Sequence, residues 1–260
     1  MKLANNIRNL FLALLITGLF FIIKPQNNVS NAQTYLKTSF TQFTFGFVGC
    51  SNTQETIVGY HLNSNSAHLF WPYDKINYDT DGRSMKFWKN PNDPLWSKFD
   101  NMKLMHNAGQ DPPVVWVQIC ENLDPRDRNF YHGSYIDLQQ IIAILKIHVP
   151  TSTIYLSPLH TYSPAALCDK MGRDGVAIPE LTGWVDQAVS EGLALRGPGN
   201  RSDGLYPLGP LTLSLTVSDH CHPNGPPLSI HGQGSQFLGG QLMDFFDILP
   251  SPVPSITITS

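Results

Sequence analysis

Apolar and polar positions along the chain alternate in a way that predicts strands separated by helices. Residues Val114–Ile119 are almost continuously apolar, as expected of a parallel strand that is covered on both faces. Apolar residues within Tyr135–His148 recur at helical spacing instead. Further β-type runs cover 43–48, 153–156 and 211–217, and helical patterns cover 54–62, 179–195 and 236–248. This alternation indicates an α/β domain with a mostly parallel sheet.

Two of the helical segments have recognisable boundaries. Residues 85–107 form an amphipathic stretch that Pro91 and Pro94 interrupt, so a break is expected there. The helix over 54–62 has Asn52 or Thr53 as its expected N-cap. A short apolar run at 67–71 lies between these two helical segments, and a polar loop follows it.

The first 32 residues have the pattern of a secretory signal peptide. Lys2 and Arg8 precede an apolar run over residues 10–23, and small residues follow at 30–32. The run is shorter than the roughly 20 apolar residues of a membrane span, which makes an uncleaved anchor the alternative interpretation. We therefore expect a secreted or extracytoplasmic protein with one domain over residues 33–248. Residues 249–260 are rich in Pro, Ser and Thr and are predicted to be a disordered tail.

Composition narrows the classes of partner. The chain has 260 residues with a formal net charge of −3, and no cluster of Lys and Arg that would follow a phosphate backbone. A nucleic-acid partner is therefore not expected. The four cysteines are widely spaced and contain no Cys-x-x-Cys motif, and in an exported protein they allow three disulfide pairings.

Three polar segments follow predicted strands, and each carries a residue that could take part in catalysis. Ser51 follows the first strand, Asn122 follows the central strand, and Asp219 follows the last β-type run. Sites in parallel sheets lie beyond the carboxyl ends of the strands, so these residues are expected at one edge. Taken singly, each is more typical of a cap or turn. Asp219 stands three residues before His222, which together with Ser51 would form a hydrolytic triad.

Taken together, these segments resemble the SGNH (GDSL-type) hydrolases. Residues Gly49-Cys50-Ser51 stand where that family has Gly-Asp-Ser, and Cys120-Glu121-Asn122-Leu123 resembles its Gly-x-Asn-Asp block. The segment Asp219–Asn224 matches the family's Asp-x-x-His-Pro-Asn in full, and Gly82 is the best match for the glycine of its second block. The similarity extends over residues 43–246, nearly the whole predicted domain.

The resemblance implies both a fold and a set of roles. The fold would be a three-layer α/β/α, flavodoxin-like SGNH arrangement with a parallel five-stranded sheet in the order 2-1-3-4-5. Ser51 would be the nucleophile, His222 the general base and Asp219 the residue that orients the imidazole. The oxyanion hole would combine the backbone N–H groups of Ser51 and Gly82 with the side-chain amide of Asn122. Neither a metal nor an organic cofactor is implied.

Two cysteines depart from the family pattern. Cys50 replaces the aspartate of the first block, and Cys120 replaces the first glycine of the third. Strands one and three are neighbours in the family, so the resemblance predicts a Cys50–Cys120 disulfide. This leaves Cys168 to pair with Cys221. Four free thiols are the alternative.

Two alternatives concern the segment around His222. His220 adjoins Asp219 directly and competes for the role of base, although adjacent residues on an extended chain point to opposite sides. A zinc site is the second alternative, because this region holds several metal-type ligands. They are Asp219, His220, Cys221, His222 and His231. Zinc would leave Ser51 and Asn122 unexplained, and no pair of ligands has helical spacing.

The aromatic residues are expected mainly in the core rather than on a sugar-binding surface. They are Tyr60, Phe70, Trp71, Tyr73, Phe87, Trp88 and Trp96. Residues 130–132, Phe-Tyr-His, follow Asn122 on the site side of the sheet and are the better candidates for contact with substrate.

The sequence thus predicts an exported serine esterase that acts on a small-molecule or carbohydrate ester, most simply an acetylated carbohydrate. A short-chain lipase or thioesterase of the same fold is one alternative. A non-catalytic cell-surface carbohydrate-binding module is another.

Overall fold

The structure, a computed structural model, describes residues 44–63, 70–80, 83–166, 168, 177–201, 203–226 and 232–246. The predicted signal peptide and tail lie outside these residues, as do Gly82 and His231. The described part contains the predicted alternation of strands and helices. No helix in it combines the length and apolar character that crossing a membrane requires.

Within the described residues, four parallel strands form the sheet, in the order β1-β2-β3-β4. The strands are β1 Gly46–Val48, β2 Val114–Ile119, β3 Thr153–Pro158 and β4 Leu195–Arg196. The helices are α1 Ser51–Asn63, α2 Met85–Trp88, α3 Pro94–Asn107, α4 Tyr135–His148, α5 Ala177–Ser190 and α6 Gly234–Phe246. Strand β2 is buried along its whole length, as its continuous apolar sequence predicts.

The number of strands corrects the five-stranded prediction. Among the described residues, the outer side of β1 holds a single parallel bridge, between Phe45 and Phe70. The Trp71 N–H donates to the Phe45 carbonyl there at 2.8 Å. The family's second strand would occupy this position, so the described chain has one pair of residues where a full strand was expected.

Several elements also differ from the sequence predictions. Helix α1 begins at Ser51, not at 54, so neither Asn52 nor Thr53 is its cap. Helix α5 ends at Ser190, and Leu195 lies in β4. The run over 211–217 is not a strand; it contains a 3-10 helix, Leu213–Leu215, flanked by isolated bridges. Asp219 therefore follows a loop and not a strand.

The sequence pattern does not reveal where α1 begins, because the residues of its first turns are polar although they are buried. Thr53 Oγ1 donates to Gln118 Oε1 of β2 at 2.8 Å. Gln54 Oε1 accepts from the Thr80 hydroxyl at 2.7 Å. Buried polar groups satisfied by such hydrogen bonds can lie in a core without producing an apolar period in the sequence.

Helices α1 and α6 cross closely at two glycines. A Cβ at Gly59 would overlap the backbone of Ser235, and one at Gly239 would overlap the backbone of Gly59. Phe246 at the end of α6 packs its ring against Phe45 and Tyr155 beside the sheet. Helices α1 and α6 therefore form one packed pair.

Both predicted disulfides are confirmed. Cys50 pairs with Cys120, and Cys168 pairs with Cys221. The first joins the ends of neighbouring strands β1 and β2. The second joins the loop that carries His222 to the segment after β3.

Candidate active site

Ser51 lies at a tight turn from β1 into α1. A Cβ at Gly49 would collide with the Thr53 side chain, so the turn requires glycine there. The Cys50 N–H donates to Thr53 Oγ1 at 3.0 Å, which fixes the entry to the helix. Ser51 is the first helical residue, where N–H groups lack intrahelical acceptors and the helix dipole favours negative charge.

The Asp219–His222 segment folds back on itself as its spacing predicts. Asp219 Oδ1 accepts from the N–H groups of Cys221 and His222 at 2.9 and 3.0 Å. The second carboxylate oxygen, Oδ2, contacts His222 Nδ1 at 2.5 Å. His222 Nε2 lies 2.8 Å from Ser51 Oγ. The structure thus brings Ser51, His222 and Asp219 together in a serine–imidazole–carboxylate chain.

The environment of Asp219 favours its ionised form. Burial alone would raise the pKa of this carboxyl. Hydrogen bonds from the His222 ring and from the His222 and Cys221 N–H groups outweigh burial and hold the pKa well below its usual range. His220 lies apart from this arrangement: its backbone is left-handed with φ of 57°, and its side chain is exposed.

Asn122 follows β2 and is held by a bridge across its loop. The Tyr131 N–H donates to the Asn122 carbonyl at 2.7 Å, and the Asn122 N–H donates back to Tyr131 at 3.3 Å. Asn122 Oδ1 accepts from the Asp124 N–H at 3.2 Å. Asn122 also lines the neighbouring cavity, and its Nδ2 group makes no hydrogen bond among the described residues. Gly82, the other predicted donor beside Ser51, lies outside the described residues.

A cavity of about 430 Å³, including its open mouth, adjoins this chain of groups. Ser51, Asn122 and His222 line it, which brings the described members of the predicted site to one place. The wall thus combines a serine hydroxyl, an imidazole and an amide side chain around an open space.

The wall also contains residues that were not predicted, among them Arg83, Ser84 and Glu121. The Arg83 guanidinium lies over the Phe87 ring, 4.6 Å from its centroid. Burial raises the pKa of Glu121 to about 7. Glu121 stands directly before Asn122 in its motif, and that position is the signal that could have identified it.

Asn224, the last residue of the motif, anchors the His222 loop. Its Oδ1 accepts from the Gly234 N–H at 2.8 Å, at the first residue of α6. Its Nδ2 donates to the Ser214 carbonyl at 2.6 Å. Because α6 packs on α1, Asn224 links the loop of His222 to the helix that begins with Ser51.

The other sequence candidates lie elsewhere. Most of the aromatic residues are buried, as expected; Tyr73 and Phe87 are half-buried. Phe130, Tyr131 and His132 are not among the residues that line the cavity. The Tyr131 hydroxyl donates to Asp137 at 2.5 Å. Cys221 is in a disulfide and cannot supply a thiolate to zinc, and His231 lies outside the described residues.

His160 is a buried imidazole behind the site that the sequence analysis missed. It is fully buried, and neither ring nitrogen has a hydrogen-bond partner among the described residues. Burial, together with the nearby His222, lowers the pKa of His160 to about 3. It follows the carboxyl end of β3, so the strand-end rule that selected Asn122 could have found it.

We expect His160 to make stability fall as the pH falls below about 6.5. Its pKa is about 3 in the folded protein and 6.5 ordinarily, so the unfolded chain binds a proton first. The loss is about 1.4 kcal/mol for each pH unit within that window. Urea unfolding at about pH 7.5 and about pH 5 should show roughly 2 kcal/mol of acid destabilisation that His160→Leu lacks.

The exposed His220 supplies a matched control for this experiment. His220→Asn should lose the same free energy between the two pH values as the wild-type protein. Equal acid destabilisation in the wild type and His160→Leu would contradict the assignment.

Comparison with solved structures gave a distant similarity. No family profile matches the chain, and no curated protein matches it. Among solved structures, the chain is similar to a Clostridium thermocellum family 3 carbohydrate esterase, with a TM-score of 0.44 and 14% identity. The match covers 79% of this chain and 95% of the esterase chain. At that level of similarity, the functional assignment depends on the geometry of the site itself.

Proposed function

We propose that this protein is an exported serine esterase that hydrolyses acyl esters, with an acetylated carbohydrate as its substrate. The observation that carries the proposal is the chain of contacts from Ser51 Oγ to His222 Nε2 and from His222 Nδ1 to Asp219, 2.8 and 2.5 Å long. A surface histidine without a catalytic role would need neither a serine hydroxyl at Nε2 nor a carboxylate at Nδ1. In a triad, each contact has a chemical task.

The reaction would proceed through an acyl-enzyme. Ser51 Oγ attacks the ester carbonyl while His222 Nε2 takes the hydroxyl proton. Asp219 accepts from Nδ1–H, which keeps Nε2 free to act as the base and stabilises the imidazolium. His222 then gives its proton to the leaving alcohol. A water molecule, deprotonated by the same imidazole, hydrolyses the acyl-enzyme and releases the acid.

The negative charge of the tetrahedral intermediate needs donors on one side of Ser51. Ser51 and Asn122 line the cavity. The Ser51 N–H at the start of α1 and Asn122 Nδ2 would be two of these donors, and Gly82 would supply the third. The positive end of the α1 dipole supports the same charge. Glu121, Arg83 and Ser84 have no part in these steps.

The substrate class is supported by the setting of the cavity. The cavity beside Ser51 is open to solvent, so an acyl group at Ser51 would leave the alcohol part of the ester in solvent. Loops form its rim, since Asn122, Arg83 and His222 all lie outside regular elements. Two disulfides fit an extracellular protein, where such substrates are encountered.

Covalent labelling tests the proposal directly. We expect a p-nitrophenyl phosphonate ester to release one p-nitrophenol per chain and to leave its phosphonyl group on the peptide that contains Ser51. A His222→Ala variant should be labelled far more slowly, because its serine lacks a base. Mass spectrometry of the digested protein identifies the modified residue. A wild-type protein that binds carbohydrate but neither reacts nor cleaves p-nitrophenyl acetate would be a binding module.

A further inference from the structure

Three metal-type ligands from two segments converge at the loop that follows β2. Glu121 lies two residues after that strand, His132 lies near the end of the same loop, and Glu180 lies in the first turn of α5. One ligand atom from each lies within 4.8 Å of the others. The proposed esterase reaction uses none of the three side chains.

Glu121 differs from the members of an ordinary cluster of surface charges, because it is buried. Its side chain is only 4% exposed, and Oε1 accepts from the Gly133 N–H at 2.5 Å. The other oxygen, Oε2, is buried without a hydrogen-bond partner among the described residues. An unpaired buried carboxylate oxygen is costly, so a ligand at this point would offset a real free-energy penalty.

A simple ion pair accounts for only part of the cluster. His132 Nε2 lies 3.1 Å from Glu180 Oε2, but the two side chains are 55% and 39% exposed. Exposed pairs of this kind contribute little stability. The pair also leaves the second carboxylate, that of Glu121, facing a negative neighbour in Glu180. A divalent cation would neutralise both carboxylates and engage the imidazole at once.

We propose that Glu121, His132 and Glu180 bind a zinc ion. One imidazole nitrogen and two carboxylate oxygens are ligands that Zn²⁺ accepts, with water completing a tetrahedron. Mg²⁺ and Ca²⁺ prefer ligand sets made only of oxygen, so the histidine favours a transition metal. His132 and Glu180 are exposed enough to adjust around the ion, whereas Glu121 is fixed.

The site would position the loop of Asn122. Glu121 precedes Asn122 directly, and the Asn122–Tyr131 bridge ends one residue before His132. A zinc ion on these ligands would close the loop on itself and join it to α5. The metal would therefore act on the oxyanion donor through the backbone, without contact with the substrate.

Zinc titration of the whole chain tests the site independently of catalysis. The protein should carry Ser51→Ala, so that turnover plays no part, and should first be freed of metal with a chelator. Calorimetry is expected to give one Zn²⁺ per chain, and thermal unfolding should move to higher temperature with added ZnCl₂. Equal concentrations of CaCl₂ or MgCl₂ should produce neither effect.

Substitutions locate the ion. Glu180→Gln and His132→Gln should each weaken Zn²⁺ binding by at least roughly tenfold. Glu191→Gln is the matched control, because Glu191 follows the same helix and is exposed, and it should bind Zn²⁺ as the parent protein does. Absence of a bound zinc ion, or equal binding in the three variants, would overturn the proposal.

Discussion

Replacing Ser51 by alanine is expected to lower the turnover of p-nitrophenyl acetate by about 10⁶-fold while the protein still folds. The loss is this large because the hydroxyl is the atom that bonds to the acyl group. Alanine has a high helix propensity, so the start of α1 should tolerate it. Among the described residues, Ser51 Oγ makes a hydrogen bond only with His222. Initial rates, compared with circular dichroism and thermal unfolding of both proteins, check the expectation.

Ser84 provides the matched control for this variant. It lines the same cavity, but its hydroxyl accepts from the Lys86 N–H at the start of α2 and makes no hydrogen bond to a histidine among the described residues. Ser84→Ala should therefore lose far less activity than Ser51→Ala. Comparable activity in the Ser51→Ala and wild-type proteins would remove Ser51 from the proposed mechanism.

Changing Asp219 to asparagine is expected to lower kcat by about 10⁴-fold, as the same change does in a comparable triad hydrolase. Asparagine keeps the shape of the side chain, and its carbonyl oxygen can still accept from the backbone N–H groups. Its NH₂ group can take the place of Oδ2 and donate to Nδ1. This stabilises the tautomer that carries its proton on Nε2, and such an imidazole cannot take the proton of Ser51.

The choice between the two histidines is tested in the same assay. His220→Asn should retain activity, since asparagine accepts the left-handed backbone and the His220 side chain is exposed. His222→Ala should lose activity as Asp219→Asn does. The reverse pattern would transfer the role of base to His220.

Two parts of the candidate site follow from the sequence because their geometry is set within a few residues. The distance from Asp219 to His222 is set within one turn, so the motif alone predicts their contact. The tight turn at Gly49 likewise fixes Ser51 after β1. Glu121 and His160 were missed because their importance depends on burial, which neighbouring segments of the chain create.

The differences in the fold have a common physical cause. Helix α1 starts three residues early on polar side chains whose partners, Gln118 and Thr80, lie elsewhere in the sequence. The run over 211–217 has β-type composition, but in the structure its segments meet Tyr162 and Pro223 at isolated bridges and not a neighbouring strand. The composition of a segment limits which secondary structures it can form. Contacts with distant parts of the chain determine which of them it adopts.

The link from Asn224 to α6, and from α6 to α1, has a consequence for synthesis. The segment that contains Ser51 leaves the ribosome early in synthesis. The residues that hold the His222 loop in place, which include Gly234 and helix α6, leave it much later. On the proposed function, a nascent chain has its nucleophile long before it has a working base. Hydrolytic activity would begin only when the last helix docks, and shorter translation products would stay inert in the cell that makes them.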